Sequence, residues 1–119
     1  MRDFKKLQVW GKSHELALSI YQESRNFPSE ERYGLTSQMR RSSASIPTNI
    51  AEGCGRSSDK EFINFLTIAS GSATELEYQI LLAHDLTFIN DKNYAELNDK
   101  IVEIKKMLYS LIKRIKTEG

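Results

Sequence analysis

From Asp59 to His84 the chain reads DKEFINFLTIASGSATELEYQILLAH, and its apolar or small residues Phe62, Leu66, Ala69, Ala73, Leu76, Ile80 and Ala83 recur at steps of 4, 3, 4, 3, 4 and 3. That spacing holds all of them on one stripe of a helix, whereas the two-residue period of a strand would scatter them over both faces. It predicts a helix packed along its length in a bundle. Downstream, Tyr94, Leu97, Ile101, Ile104, Leu108, Leu111 and Ile115 step by 3, 4, 3, 4, 3 and 4, which predicts a second such helix with Asp91 as its N-cap. Upstream, Val9, Leu16 and Ile20, with Trp10, Ala17 and Tyr21 beside them, predict a helix that stops near Phe27-Pro28. The residue before a proline avoids the helical region.

Between these segments, a loop to about Leu35 should lead into a helix capped by Thr36 that buries Met39, Ala44, Ile46, Ile50 and Ala51. Pro47 removes a backbone donor and clashes with the carbonyl of Ser43, so a kink or short break is expected around Ser45 to Pro47. Gly53 and Gly55 mark the end of this helix, and Ser57 or Ser58 with Asp59 and Glu61 restarts the next, acids at its positive end. The expected fold class is all-α, an up-down-up-down four-helix bundle with its second helix kinked at Pro47, forming a single domain over residues 1–119.

Composition narrows the class. A hydrophobic content of 39%, a charged content of 28%, Pro 2 and Gly 6 in 119 residues exclude collagenous, disordered and loop-rich chains. No apolar run approaches the ~20 residues that span a bilayer, and the charged start leads into no signal-like apolar stretch, so a cytoplasmic protein with no membrane partner is expected. The single Cys54 allows no internal disulfide and suits a reducing compartment. The net charge of +1 hides a separation: residues 1–60 carry +3 and residues 61–119 carry −2, yet Lys100, Lys105, Lys106, Lys113, Arg114 and Lys116 face Glu103 alone between positions 100 and 116.

Two helices carry more apolar residues than one seam uses. Val102, Tyr109 and Ile112 lie beside the last stripe, and Ile63, Phe65 and Ile68 beside the third. They serve either a wide stripe in one core or a subunit interface.

The chemistry-bearing residues are basic. Arg40, Arg41 and Arg56 bracket the helix with Pro47, and Lys5, Lys6 and Lys12 lie near the start, all able to neutralise phosphates. The competing reading pairs Arg40 or Arg41 with Glu52 or another acid, makes Glu52 and Arg56 a helical i,i+4 pair, and leaves the lysines from 100 to 116 on a solvated face. Tyr33 either stacks on a base or packs a loop. Asn49 and Glu52 beside Pro47 are expected to satisfy freed backbone groups. Gly53-Cys54-Gly55-Arg56 follows a helix and lacks a Lys-Ser/Thr ending, unlike a P-loop. Neither His14 nor His84 has a Glu three residues before it, as a di-iron bundle requires, and His84-Asp85 reads as a polar helix end. No nucleophile and base are placed to meet, so Cys54 reads as an inert thiol and neither enzyme activity, metal nor cofactor is expected.

The run Tyr33-Gly34-Leu35-Thr36-Ser37-Gln38-Met39-Arg40-Arg41, then Ser45-Ile46-Pro47-Thr48-Asn49-Ile50-Ala51-Glu52-Gly53 and Gly55-Arg56, resembles the bacterial four-helix-bundle proteins encoded inside intervening sequences of 23S rRNA genes. Val9-Trp10, Phe27-Pro28, Lys60-Glu61-Phe62, Phe65-Leu66, Ile68-Ala69-Ser70-Gly71-Ser72 and Glu75-Leu76-Glu77 extend the resemblance over most of residues 4–115. The resemblance implies a ring-like homopentamer without known enzymatic activity and a nucleic-acid-binding role. It also extends to the accessory protein of diversity-generating retroelements, whose partners are a reverse transcriptase and its RNA. The expectation is therefore a non-enzymatic homo-oligomer, a pentamer by resemblance, that binds RNA or DNA through Arg40, Arg41, Arg56, Lys105, Lys106 and Lys113. The alternative is a protein-interaction or scaffold module that binds no nucleic acid.

Overall fold

The computed structural model describes residues 2–118, so Met1 and Gly119, the ends of the expected 1–119 domain, lie outside the described residues. Among the described residues there are four α-helices and no strand: α1 (Gln8–Ser24), α2 (Leu35–Cys54), α3 (Asp59–Asp85) and α4 (Asp91–Glu118), with 3₁₀ turns at Phe4–Lys6 and Ser29–Glu31. None of the helices is long and apolar enough to cross a membrane. At about 1.5 Å per residue the 28 residues of α4 span about 42 Å, close to the 46 Å long axis of the molecule.

α1 packs on α2, α2 on α3, α3 on α4, and α4 back on α1, while the diagonal pairs α1/α3 and α2/α4 stand apart. The predicted seam of α3, Phe62 through Ala83, is buried at every position, and so is that of α4 from Leu97 to Ile115, with Tyr94 half-buried at its head. Each fully buried Leu, Ile or Phe stabilises by about 1.5–3 kcal/mol relative to exposure, so these seams, with Leu16 and Ile20 of α1 and Met39, Ile46 and Ile50 of α2, hold the bundle together. Phe27 and Phe88, 5.5 Å between ring centroids, close one end.

The helix ends depart from expectation in two places. α2 starts at Leu35, one residue before Thr36, which is buried rather than capping; the Glu31 carboxylate accepts from the Leu35 N–H instead. α4 is capped by Asn90, whose Oδ1 accepts from the Asn93 N–H at 2.8 Å, and Asp91 is the first helical residue. Ser58 caps α3 as expected, accepting from the Glu61 N–H.

No break occurs at Pro47: α2 is helical from Leu35 to Cys54. Side chains around the proline bond back to the preceding turn, to carbonyls other than that of Ser43, which loses its donor to the proline. Ser43 Oγ donates to the Arg40 carbonyl, and Asn49 Nδ2 donates to the carbonyl and Oγ of Ser45. Ser45 Oγ in turn shares a hydrogen bond with Ser72 Oγ of α3. The buried set of α2 also differs. Ser42, Ser43 and Pro47 are buried, whereas Ala44 and Ala51 are half-buried and line a groove against α1. Ser42 is accommodated because its hydroxyl donates to Gln79 Oε1, itself buried in α3.

Candidate nucleic-acid interface

The six basic residues singled out in the sequence do not form one patch. Arg40, Arg41 and Arg56 belong to α2 and its C-cap loop; Lys105, Lys106 and Lys113 belong to α4, the diagonal helix. From Arg40 to the end of α2 at Cys54 the helix rises about 21 Å, and Arg56 lies beyond it.

Three of the six are already engaged within the chain. Arg40 is half-buried, its Nε donates to Ser24 Oγ at 2.8 Å and its Nη2 to the Tyr21 carbonyl, and its guanidinium lies 5.0 Å from the Tyr21 ring centre. It clamps α1 to α2 without any carboxylate, so of the competing readings the pairing of Arg40 with Glu52 is not found. Arg56 pairs with Glu52 at 3.2 Å and lies 4.7 Å from the Phe65 ring centre. Lys105 Nζ is 2.8 Å from Glu77 Oε1, tying α4 to α3. Arg41, Lys106 and Lys113 are exposed and have no ion-pair partner among the described residues.

Lys106 gains company that linear order conceals. A cavity of about 580 Å³ opens between the start of α1 and α4, and Lys6, Lys106 and Arg114 all line it together with Gln8 and Ser110. Its one acid, Glu103, is 3.2 Å from Lys12. Lys6 and Arg114 stand at opposite ends of the chain, so only the closure of α4 onto α1 brings them together. Tyr109, one turn along α4 from Lys106, is 68% exposed. Tyr33 does not pack its loop: it is 90% exposed, with the Arg32 guanidinium 5.8 Å from its ring centre.

A second cavity, of about 480 Å³, lies between α1 and α2 and is walled by Phe4, Trp10, Leu18, Tyr21 and Pro47. Trp10 stacks on His14 with centroids 5.1 Å apart. Of the apolar edges expected to exceed one seam, Ile68 and Tyr109 are exposed, and Ile63, Phe65, Val102 and Ile112 are half-buried at the core margin.

The remaining candidates are structural. His84 Nε2 is 2.7 Å from Asp91 Oδ1, and its ring stacks on Tyr94 at 4.3 Å, which joins the end of α3 to the start of α4. Among the described residues no three His, Cys, Asp or Glu side chains gather as a metal site. Cys54 is buried; burial pushes its thiol up from the ordinary value of 9.0, against the opposing pull of Arg2, so it stays protonated and a poor nucleophile.

An all-α four-helix bundle with cationic and apolar grooves on separate faces defines the class of protein. The chain belongs to the family described as 23S rRNA-intervening sequence protein, which it matches over residues 5–110. It is also similar to a solved structure, a protein of unknown function from the S23 ribosomal protein family of Bacteroides thetaiotaomicron, with 35% sequence identity and a TM-score of 0.82 over 88% of this chain and 95% of that one. Among proteins of curated function none matches.

Proposed function

We propose that this chain is a non-catalytic, cytoplasmic bundle that assembles with copies of itself and binds nucleic acid through the basic outer face of α4. The observation that carries the reading is the trio Lys106, Lys113 and Arg114, which are exposed on one helix with no carboxylate at ion-pair distance among the described residues. A phosphate backbone holds condensed counterions that unpaired protein cations displace, and their release favours binding. Arg41 is a secondary candidate; Arg40 and Arg56 act in the fold instead.

Self-association is supported by apolar side chains that the bundle itself does not cover. Leu18 and Tyr21 of α1 border the α1/α2 groove, whereas Ile68, Tyr78 and Leu81 are exposed on α3. Two different apolar faces on one chain suit a head-to-tail contact, which closes into a ring when the rotation permits; a homopentamer is the ring that the family resemblance implies.

The test is a fluorescence-anisotropy titration of the protein against a structured RNA and a DNA duplex at about 50 and 200 mM salt. Binding should weaken by about a thousandfold or more between the two if six or more phosphates are contacted. The triple variant Lys106→Glu, Lys113→Glu, Arg114→Glu should bind weakly at both. Salt-independent binding, or none at the lower salt, would move the function to a protein scaffold.

A further inference from the structure

On the side of α4 that meets α1, Lys106, Ser110 and Arg114 follow at offsets of four, and all three line the groove of about 580 Å³, so the two cations flank the Ser110 hydroxyl about one turn away on either side. Lys6 lines the opposite wall, where the first turn of α1 contains no acid. The three cations are exposed and have no ion-pair partner among the described residues. Side chains as long as lysine and arginine can close over a point above Ser110, which makes that point the positive pole of the groove. The groove also contains one acid at its other end. Glu103 stands seven residues before Ser110, about 10 Å along the α4 axis, and Lys12 is 3.2 Å from its carboxylate. Between the two poles lie Leu7 and Met107, both half-buried.

This arrangement selects a ligand by charge, length and polarity together. Three cations against one carboxylate leave two positive charges in the lining, which suits a phosphomonoester, charged about −1.5 to −2, better than the single charge on each link of a phosphodiester chain. The volume lies within the roughly 300–1,000 Å³ of small-molecule sites and exceeds what a bare phosphate fills, so the phosphate carries a body. Leu7 and Met107 offer that body an apolar floor, which a flat ring covers and a bare sugar does not. A carboxylate has about four lone-pair sites, so Glu103 can accept from a ligand N–H while it is paired with Lys12; a patch that served only to attract polyanions would gain nothing from it. We infer that the α1/α4 groove binds a nucleoside 5′-monophosphate, its phosphate over Ser110 among Lys6, Lys106 and Arg114, its base on Leu7 and Met107, and a base N–H donated to Glu103. This site goes beyond the nucleic-acid reading and does not rest on it, although Lys106 and Arg114 belong to both. The same phosphomonoester ends a 5′-phosphorylated strand, so a free nucleotide and a strand end are two sources of one ligand chemistry.

The test is isothermal titration calorimetry of the full-length protein with adenosine 5′-monophosphate, ribose 5-phosphate, adenosine and inorganic phosphate at about 50 mM salt. The nucleotide should bind at least about tenfold more tightly than any of its parts. Lys6→Gln and Ser110→Ala, both at exposed positions outside the core, should each weaken it by about threefold to tenfold. Glu103→Ala separates an acceptor from a bystander: the nucleotide should weaken by about fivefold while ribose 5-phosphate holds or tightens, because both lose a repelling charge but only the nucleotide loses an acceptor. Tightening of both ligands, or inorganic phosphate binding as well as the nucleotide, would overturn the inference and leave a plain anion patch. Absence of nucleotide binding by a protein that still binds the structured RNA would overturn this inference alone, whereas nucleotide binding without RNA binding would support it and sink only the nucleic-acid reading. Displacement of the nucleotide by a 5′-phosphorylated oligonucleotide but not by its 5′-hydroxyl counterpart would assign the groove to strand ends, and displacement by neither would assign it to the free nucleotide.

Discussion

Gly53 lies in the last turn of α2, where a methyl group would come within 2.9 Å of both Phe62 Cδ1 and Phe65 Cβ. Gly71 lies in the middle of α3, exposed, with nothing within 4 Å of the same added atom. Replacing a helical glycine by alanine removes unfolded-state entropy and gains up to about 1 kcal/mol where the site is open. Overpacking against buried rings costs about 1–3 kcal/mol. The two substitutions should therefore have opposite signs: Gly71→Ala raises the melting temperature by a few degrees, and Gly53→Ala lowers it, as read by thermal unfolding under circular dichroism. Equal shifts would show that α2 and α3 are not in close contact at Gly53. In the sequence Gly53 reads as a helix-end marker and Gly71 as a residue inside a helical stretch, and neither reading shows the crowding at Gly53, which comes from Phe62 and Phe65 on another helix.

At the level of whole elements, the α3–α4 connection shows how a helix stops without its preferred residue. Thr87 adopts φ 66°, the left-handed conformation that glycine usually supplies after a helix. Its N–H donates to the His84 carbonyl and the Phe88 N–H to the Ala83 carbonyl, the paired bonds of a Schellman motif. A β-branched residue in this conformation costs roughly 1–2 kcal/mol, and glycine adds back about 0.5–1 kcal/mol of chain entropy. Relief of strain wins, so Thr87→Gly should stabilise the protein by about 0.5–1 kcal/mol, measured by urea unfolding with an unchanged m-value. A loss of stability would mean that the Thr87 side chain contributes more than its backbone conformation costs. Because no glycine stands here, the stop was legible only through the end of the apolar period after Ala83 and the capping-type residue Asp91, whose neighbour Asn90 the sequence reading passed over. Those two are neighbours with the same acceptor chemistry, and the geometry of the turn decides for Asn90.

For the whole molecule, one core is complete within a single chain, and Leu18, 58% exposed, contributes nothing to it. Leu18→Glu should therefore leave helicity and unfolding cooperativity intact while it disrupts the proposed assembly through the α1/α2 groove, because a carboxylate buried in an apolar contact is strongly disfavoured. Light scattering checks the mass; a variant that keeps the parent's multimeric mass would place the subunit contact elsewhere.

The sequence by itself determined the helices and the buried stripes of α3 and α4, because the 3.6-residue period is a local property and Phe62 to Ala83 or Leu97 to Ile115 declare it without reference to the rest of the chain. It also narrowed the α3 cap to Ser57 or Ser58 and identified the basic run on α4. The tertiary structure alone decided which polar groups are spent and which are free. Arg40 and Lys105 find partners on neighbouring helices, at Ser24 and Glu77, and Ser42 is tolerated inside because Gln79 meets it. The local Glu52–Arg56 pair was readable from its spacing, whereas the cavity that unites Lys6 with Arg114 was not. The physical reason is range: helix periodicity and i,i+4 pairing act within a few residues, but charge neutralisation and groove formation depend on which helices come to lie side by side.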